Sequence, residues 1–234
     1  KFPVIVKPTD RSGSRGITKV FNKNELEEAI KYATKDSFEK MAIVEEYIEG
    51  NEYSCECISY KGNHHFLAFT KKYTTGSPNF IETGHMEPSD IKIEYQEEIK
   101  NNIFKALTAL GIQNGASHTE FKVNEKGEFG IIEIGARMGG DCIGSDLVQI
   151  STGYDFVKMV IDVACGKEPD FTKVTKPTKA VIKFIFTQND LNKMNEFSEK
   201  YPNQIYRISD MELENLGKTV DSSSRIGYYI YTPE

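Results

Sequence analysis

The chain has 234 residues, of which 38% are hydrophobic and 27% are charged, an ordinary composition for a globular protein with enough apolar material for a sizeable core. At this length we expect one large lobe with a smaller satellite. The formal net charge of −6 argues against a broad nucleic-acid-binding surface, which needs a basic surplus, and leaves room for a local basic pocket.

The N-terminal part of the chain is predicted to form three strands and one helix. Two apolar runs, residues 2–7 and 17–21, indicate strands on either side of a polar loop. We expect Asn24 to cap a helix, with Glu27 completing a capping box. Residues 41–48 predict a third strand that ends in an acidic stretch. The apolar face of the helix has the spacing i, i+3, i+4, i+7 and comprises Leu26, Ala29, Ile30 and Ala33.

The middle of the chain is predicted to contain a hairpin, a long helix and a second pair of strands. Residues 61–63 (Lys-Gly-Asn) separate two strand-like runs, which is a hairpin signal. A polar loop with Gly76, Pro78 and Gly84 follows. The amphipathic pattern of residues 95–110 predicts a helix. The strands predicted here are 53–60, 65–73, 116–123 and 129–134, and the helices after them are 143–151 and 154–165.

The C-terminal part is predicted to be a small α+β unit joined by a linker. Residues 167–179 contain two prolines and several lysines, which favours a linker. The elements predicted beyond it are strands 180–186 and 204–209, a short helix capped near Asn189 or Asp190, and strands within 217–231. We therefore divide the chain into a main region (1–166), the linker (167–179) and a C-terminal unit (180–234).

A loop rich in glycine and serine between the first two predicted strands is a candidate phosphate site. Lys7 ends the incoming strand, and backbone N–H groups in such a turn can form a concave nest for an anion. The loop is not a Walker A motif, because its lysine precedes the glycines and a strand follows them. A polar hairpin loop without a ligand explains the segment equally well. The loop residues are Ser12, Gly13, Ser14, Arg15 and Gly16.

The acidic end of the strand predicted at 41–48 is a candidate nucleoside site. Free backbone groups there can hydrogen-bond the edge of an adenine, and a carboxylate can accept from ribose hydroxyls. The alternative is a solvated strand end with no ligand. The residues concerned are Glu45, Glu46, Tyr47, Ile48 and, further along the chain, Glu52.

Two glutamates on neighbouring predicted strands are candidate metal ligands. Glu120 lies on strand 116–123 and Glu133 on strand 129–134, so antiparallel pairing can place them side by side. Two such carboxylates repel each other unless a cation joins them, and oxygen ligands suit Mg²⁺. Arg137 can then neutralise a phosphoryl group or a carboxylate. The alternative is a structural ion pair between Glu133 and Arg137.

Taken together, in this order and at this spacing, the motifs resemble the ATP-grasp superfamily. The segments that carry the resemblance are 2–8 with the glycine–serine loop, 44–52, 118–121 and 133–137. Segments 81–85, 118–120 and 136–141 also resemble the L-amino-acid ligases that make dipeptides. The resemblance covers about residues 1–166. It implies an α+β fold of the ATP-grasp type, with antiparallel sheets flanked by helices, nucleotide held between two lobes and a small C-terminal α+β subdomain.

The resemblance also implies roles in nucleotide and metal binding. Lys7 is expected at the α- and β-phosphates, with residues 12–16 folded over them. Residues 45–48 are expected to hold adenine, and Glu52 the ribose. Glu120 and Glu133 are expected to bind Mg²⁺, with Mn²⁺ as an alternative ion. Many relatives have Asn where this chain has Gly135, so a third side-chain metal ligand is absent or replaced.

The expected catalytic and substrate residues follow from the same resemblance. Lys71 or Lys72 is expected at the terminal phosphate of ATP, and Arg137 at the acyl phosphate. The residues expected to face the substrates are Glu82, His85, His118, Gly139 and Gly140.

The function implied is an ATP-dependent carboxylate–amine ligase. A substrate carboxylate, expected to belong to an amino acid, would become an acyl phosphate, and an amine would then form the amide with release of ADP and phosphate. Two alternatives stay open. One is another ATP-grasp ligase (carbamoyl-phosphate synthetase-like, glycinamide ribonucleotide synthetase-like or D-alanine ligase-like), and the other is a module that binds nucleotide without turnover. The expected partners are small carboxylate and amine substrates, without nucleic acid or membrane; a homodimer stays open.

Cysteine usage and the start of the chain give two further expectations. Cys55, Cys57, Cys142 and Cys165 form no C-x-x-C or zinc pattern, which favours free thiols in a reducing compartment, the cytoplasm. No apolar stretch approaches the ~18 residues of a membrane span. The chain opens inside a predicted strand, without the family's preceding α/β domain and first phosphate lysine. We therefore expect a fragment that is weakly active or inactive alone.

Overall fold

The computed structural model describes residues 1–77, 80–218 and 221–233. Within these ranges the chain forms a three-stranded sheet and an eight-stranded sheet, and every strand pairing is antiparallel. Helices pack on both sheets. No helix in the described residues is both long and apolar enough to cross a bilayer. The expected α+β architecture with antiparallel sheets and flanking helices is confirmed.

The three-stranded sheet, called here the small sheet, is formed by the N-terminal part of the chain. Its strands are β1 (Val4–Pro8), β2 (Thr18–Val20) and β3 (Ala42–Glu46), in the order β2-β1-β3. Helix α1 (Lys23–Asp36) covers one face, where Ala29 and Ala33 pack against Val6 and Val20. The small sheet therefore has its own compact core, separate from that of the large sheet.

The start of α1 corrects the predicted cap. Asn22, not Asn24, is the N-cap residue, and its side chain accepts a hydrogen bond from the backbone N–H of Asn24. Glu25 accepts from the backbone N–H of Phe21, while Glu27 forms an ion pair with Lys31. The pattern of a capping residue followed three positions later by Glu occurs twice, at 22–25 and at 24–27. Because β2 ends at Val20, the chain can turn into the helix at the earlier pair.

The eight-stranded sheet, called here the large sheet, has the strand order β10-β11-β9-β6-β5-β4-β7-β8. Its strands are β4 (Asn51–Tyr60), β5 (Asn63–Thr74), β6 (Glu82–Glu87), β7 (Gly115–Val123), β8 (Phe129–Gly135), β9 (Ala180–Ile185), β10 (Ile205–Ile208) and β11 (Gly227–Tyr231). The predicted hairpin at 61–63 and the predicted pairing of the two strands that carry Glu120 and Glu133 are both confirmed.

Helices cover both faces of the large sheet. Helix α2 (Ile93–Ala109) buries Ile99, Ile103 and Leu107 against an aromatic and cysteine-rich face centred on Phe121. The opposite face is covered by a π-helical turn (Ile143–Leu147), α3 (Val148–Thr152) and α4 (Phe156–Ala164), and α5 (Gln188–Lys200) packs on β9 and β11. Because side chains alternate along a strand, one strand supplies apolar residues to α2 and polar residues to the other side.

Strand β6 lies where a polar loop was predicted, and that prediction is wrong in part. Gly84 is inside the strand, where a Cβ atom would lie 2.5 Å from the carbonyl oxygen of Ile182, so glycine allows β9 to approach closely. Pro78 lies outside the described residues. At the C-terminus, strand structure is limited to Gly227–Tyr231, since residues 222–224 form a 3-10 turn rather than part of the strand predicted from 217.

The C-terminal unit is joined to the large sheet rather than set apart from it. Strand β9 pairs with β6 over four residue pairs, and β11 and β10 extend the sheet beyond it. Residues 167–179 contain no helix or strand. A β-bridge joins Lys173 to Tyr154, and backbone N–H groups of Val174 and Thr178 donate to the oxygens of Gly153 and Ile150. The division into a linker and a C-terminal unit stays a prediction. Because β9 pairs with β6, the residues that follow β9 come close to β6, where Ser222 and Arg225 contact Glu82.

Candidate functional site

A cavity of about 810 Å³ lies between the small and large sheets. The predicted site residues that line it are Lys7, Ser12, Gly13, Ser14, Arg15, Glu45, Glu46, Tyr47, Ile48, Glu52, Lys72, Glu82, His85, His118, Glu120, Glu133, Arg137 and Gly140. Three others, Gly16, Lys71 and Gly139, do not line it. Side chains predicted from separate segments of the sequence thus meet in one space.

The glycine–serine loop between β1 and β2 forms one wall of the cavity. Gly13 and Gly16 both have positive φ, which glycine adopts without strain. A Cβ on Gly16 would lie 2.7 Å from Pro8, so Gly16 packs against β1 and faces away from the cavity. Ser14 donates to the backbone oxygen of Phe80, and Arg15 lies 3.2 Å from Asp221. These contacts hold the loop over the cavity from two sides.

The exit of β3 forms the apolar end of the cavity. β3 is an edge strand of the small sheet, so its outer backbone groups are free to bind a ligand. Two ammonium groups lie near the Tyr47 ring, with Lys19 Nζ 3.4 Å and Lys122 Nζ 4.8 Å from its centroid. Glu45 pairs with Lys7 at 2.6 Å. The isoleucines that line the cavity are Ile5, Ile17, Ile43, Ile48, Ile131, Ile132 and Ile143.

Cross-strand register explains how the polar residues of the large sheet come together. One row across the sheet contains His85, Lys72, Glu52 and Lys122. The next contains Thr70, Ser54, Glu120 and Glu133, and the third contains Glu56, His118 and Gly135. All three rows lie on the face opposite α2, because alternate residues of the same strands supply the apolar core.

Lys72 is the central cation of the site. Its side chain is 3% exposed, and its Nζ lies 2.6 Å from Glu120 and 3.6 Å from both Glu52 and Glu82. Burial alone would lower the pKa of this ammonium group, but the three carboxylates hold the pKa above its ordinary value. Lys72 is therefore charged at neutral pH and fixed in place.

Lys71 is on the other face of β5, which corrects its prediction as a catalytic residue. Its ammonium group pairs with Asp90, near the start of α2. Consecutive residues of a strand point to opposite faces, so only one of the two neighbouring lysines can enter the cavity. Of the two, Lys72 is the lysine that lines the cavity.

Glu120 and Glu133 are direct cross-strand partners on β7 and β8. Burial would raise the pKa of Glu120, but Lys72 and His118 together hold the pKa well below its ordinary value, so the group is ionised. The Glu133 carboxylate makes no hydrogen bond or ion pair with any described residue, and Arg137 instead donates to the backbone oxygen of Met138. The alternative of a Glu133–Arg137 ion pair is therefore wrong.

The carboxylates fit a divalent cation only if a ligand completes its shell. Among the described residues, no group of three or more His, Cys, Asp or Glu side chains is arranged as a metal site. In proteins, Mg²⁺ is commonly bound by one or two carboxylates, while phosphate oxygens and water supply its other ligands. The two facing carboxylates beside the basic loop match this arrangement. The donor set therefore fits Mg²⁺ bound together with a polyphosphate.

His118 connects this pair to a deeper carboxylate. Its Nε2 lies 3.1 Å from Glu120, and its Nδ1 contacts Glu56, which is fully buried. Burial would lower the pKa of His118, but Glu56 and Glu120 raise it to about 9. Both ring nitrogens are thus engaged by protein groups, so His118 supports the site from below.

A second cluster lies at the β6 end of the cavity. Arg225 donates to both carboxylate oxygens of Asp141, at 2.6 and 2.9 Å, and lies 3.4 Å from Glu82. His85 is 1% exposed; its Nε2 is 3.5 Å from Asp141, and neither ring nitrogen has a hydrogen-bond partner in the described part of the chain. Burial lowers the pKa of His85, so its ring is neutral at neutral pH. Ser222 donates to Glu82 at 2.8 Å.

Several residues in or beside the cavity do not follow from the sequence motifs. Asp141 lies in the segment 136–141 that carries the resemblance, but the motif gives it no role, and no motif points to Glu56, Lys122, Ser222 or Arg225. Glu56 and Lys122 could have been found, because they continue the alternation of polar residues on strands already predicted. Ser222 and Arg225 come from the C-terminal unit, and only the pairing of β9 with β6 brings that unit to the cavity.

The sequence of this chain matches a known protein family and several characterised ligases. The model of a protein family described as the ATP-grasp domain matches residues 1–146. Alanine–anticapsin ligase of Bacillus subtilis is 31% identical over 194 residues, which cover 73% of this chain and 40% of that protein. D-alanine–D-alanine ligase of Acetivibrio thermocellus is 32% identical over 186 residues, 74% of this chain and 48% of that protein. The chain thus spans less than half the length of these curated relatives.

A solved structure matches nearly the whole chain. The crystal structure of L-amino acid ligase from Bacillus licheniformis superposes with a TM-score of 0.78 and 25% sequence identity. The match covers 99% of this chain and 58% of that one. It therefore includes the strands of the C-terminal unit as well as the two sheets around the cavity.

Proposed function

The chain belongs to the ATP-grasp family, and on that premise we propose that it forms the nucleotide-binding and catalytic part of an ATP-dependent carboxylate–amine ligase. The observation that carries the proposal is the cross-strand pair of Glu120 and Glu133, in one cavity with Lys72 and the glycine–serine loop. A pair of acids beside a fixed lysine and an anion nest suits a polyphosphate bound with a divalent cation. Relatives named as amino acid ligases support the carboxylate–amine class.

The nucleotide is assigned along the length of the cavity. The adenine lies against Tyr47 and Ile48 at the β3 exit, where backbone groups of an edge strand and an apolar wall are available. Glu52 binds the ribose hydroxyls, and Lys7 with the glycine–serine loop binds the α- and β-phosphates. Lys7 exchanges its ion pair with Glu45 for phosphate oxygens, which bind a lysine ammonium group strongly.

Glu120 and Glu133 are assigned as the protein ligands of Mg²⁺, with Mn²⁺ as an alternative. When bound, the ion neutralises phosphate oxygens and orients the terminal phosphate. Lys72 contacts the same phosphate from β5, because its ammonium group reaches past β4 to within 2.6 Å of Glu120 on β7. Gly135 offers no third side-chain ligand, so phosphate oxygens and water would have to supply the remaining ligands.

The reaction proceeds in two displacements. A carboxylate oxygen of the first substrate attacks the terminal phosphorus of ATP, the bond to the bridging oxygen breaks, and ADP leaves. The nitrogen of the amine then attacks the acyl carbon, the carbon–oxygen bond to phosphate breaks, and a proton leaves the nitrogen. Lys72 and Arg137 stabilise the negative charge on the transferred group, and the loop at 12–16 limits the access of water to the acyl phosphate.

The substrates are assigned to the β6 end of the cavity. Glu82 and Asp141 are carboxylates fixed by Arg225, and His85 has free ring nitrogens, so this end offers both acceptors and a donor. An amino acid carries groups that match such a set. Gly140 borders the same space, whereas Gly139 packs below it, so Gly139 is assigned to support of the turn rather than to substrate contact.

The proposal is tested by measuring release of ADP and phosphate from the intact protein across pools of amino acids. Amino-acid-dependent release of both products, with formation of an amide, is the expected result. Release that depends on bicarbonate or on a phosphoribosylamine instead would favour a different ATP-grasp ligase, and nucleotide binding without release would favour a non-catalytic module. Glu133→Gln should abolish turnover, while Glu28→Gln, at an exposed position of α1, serves as the matched control.

A further inference from the structure

Glu56, in the middle of β4, is a fully buried carboxylate with two separate partners. One oxygen contacts His118 Nδ1, and the other accepts a hydrogen bond of 2.9 Å from the backbone N–H of Gly139. The side chain does not line the cavity. A buried carboxylate costs free energy unless its oxygens are well matched, so these two contacts define its place in the fold.

Through His118, Glu56 is connected to Glu120, one of the two candidate metal ligands. His118 is the cross-strand partner of Glu56, and its second nitrogen lies 3.1 Å from Glu120. The orientation of the imidazole ring is therefore set on one side by Glu56, and the ring in turn limits where the Glu120 carboxylate can point. A hydrogen bond of this kind below a ligand commonly determines the ligand's direction.

Through the hydrogen bond from Gly139, Glu56 is also connected to the turn that follows β8. A Cβ on Gly139 would lie 2.9 Å from both Glu56 Oε1 and His118 Nδ1, so the turn rests directly on this pair. The same turn carries Arg137 and Asp141, which line the cavity on either side of Gly139. Asp141 and Cys142 have positive φ, a conformation that neighbouring contacts must hold in place.

We propose that Glu56 is a positioning residue for the reaction proposed above, because one carboxylate fixes both Glu120, through His118, and the turn with Arg137, through Gly139. The inference rests on the proposed function. It predicts that the length of the side chain matters more than its charge. Only a side chain of this length reaches Gly139 and His118 at once, and its two terminal atoms must both be polar.

Two variants separate reach from charge. Glu56→Gln keeps the length and supplies one acceptor for Gly139 and one amide donor for the ring of His118. Glu56→Asp keeps the carboxylate and shortens the side chain by one methylene, so it cannot make both contacts. Glu87→Asp is the matched control, because Glu87 is another fully buried carboxylate of the large sheet that does not line the cavity.

The first measurement is binding of Mn²⁺ by electron paramagnetic resonance, with a non-hydrolysable ATP analogue and the intact protein, without turnover. We expect Glu56→Asp to weaken Mn²⁺ binding by about 10- to 100-fold, the usual effect of losing a partner behind a metal ligand. Glu56→Gln and Glu87→Asp should stay within a few-fold of the wild type. Normal Mn²⁺ binding by Glu56→Asp would overturn the proposal. A loss of Mn²⁺ affinity in Glu56→Gln that equals or exceeds the loss in Glu56→Asp would also overturn it.

The second measurement is amide hydrogen exchange at Gly139 in protein free of metal and nucleotide. Exchange should be faster in Glu56→Asp than in the wild type and little changed in Glu56→Gln. Equal exchange in all three proteins would also overturn the inference. Because this measurement needs neither metal nor activity, it still decides the role of Glu56 if the wild type fails to bind Mn²⁺, a result that would instead reject the proposed function.

Discussion

Glu87 provides a prediction about stability that can be worked out from the structure. It is fully buried on β6, where its oxygens accept hydrogen bonds from the hydroxyls of Thr70 and Ser151. Burial raises the pKa of its carboxyl from 4.5 to about 8, and the hydroxyl donors only partly oppose this effect. The folded protein therefore holds a proton on Glu87 over a pH range in which the unfolded chain has released it.

The sign and size of the effect follow from proton linkage. Because the folded state has the higher pKa, the stabilisation is complete below pH 4.5 and is lost as the pH rises toward about 8. At about 1.4 kcal/mol per pH unit, the loss over that interval is at most roughly 5 kcal/mol. Local relaxation reduces such figures, so we expect a loss on the order of 2 to 5 kcal/mol from this group.

The assay compares urea unfolding of the wild type and Glu87→Gln between pH 5 and pH 8. The neutral glutamine keeps the shape and hydrogen-bonding capacity, so the variant should lose less stability than the wild type as the pH rises. Comparing the two proteins removes the contribution of His118, whose pKa is also raised. If the free energy of unfolding changes with pH in the same way for both proteins, the prediction is wrong. That result would mean that Glu87 has the same pKa in the folded and the unfolded protein.

Three further predictions concern residues around the cavity. Lys72→Met should abolish ligase turnover and lower the free energy of unfolding by about 3 to 5 kcal/mol, because it removes the buried cation that Glu52, Glu82 and Glu120 share. Lys71→Met, on the other face, should keep turnover. Equal losses of turnover in both variants would contradict the assignment. Gly139→Ala should lower the free energy of unfolding by about 1 to 3 kcal/mol in urea titrations, since the methyl group of the alanine would meet Glu56 and His118. An unchanged urea midpoint would contradict this packing. Arg15→Ala should change the free energy of unfolding by less than about 1 kcal/mol, because the ion pair of Arg15 with Asp221 is partly exposed. The same variant should raise the KM for ATP. An unchanged KM would exclude Arg15 from phosphate binding.

Much of the fold could be predicted because local patterns agree with the final structure. The hairpin of β4 and β5 and the helix α2 follow from turn residues and amphipathic spacing. The facing positions of Glu120 and Glu133 follow from a short connection between two strands, which makes their pairing antiparallel. In these regions, neighbours in the chain are also neighbours in space.

The parts that could not be predicted depend on register or on distant contacts. Alternation requires that Lys71 and Lys72 face opposite sides, but only the pairing of Lys72 with Glu52 and His85 identifies the one in the cavity. Strand β6 is rich in polar residues because it faces the site, so it has no apolar run to reveal it. The contact of Arg225 with Asp141 joins residues 84 positions apart, and no local pattern indicates it.

The proposed ligase reaction depends on Glu120 and Glu133 binding one divalent ion together with the triphosphate. The most direct measurement is Mn²⁺ titration by electron paramagnetic resonance, with a non-hydrolysable ATP analogue, of the wild type, Glu120→Gln and Glu133→Gln. We expect one tightly bound ion in the wild type and a large loss of affinity in each variant. Unchanged Mn²⁺ affinity in either variant would contradict it.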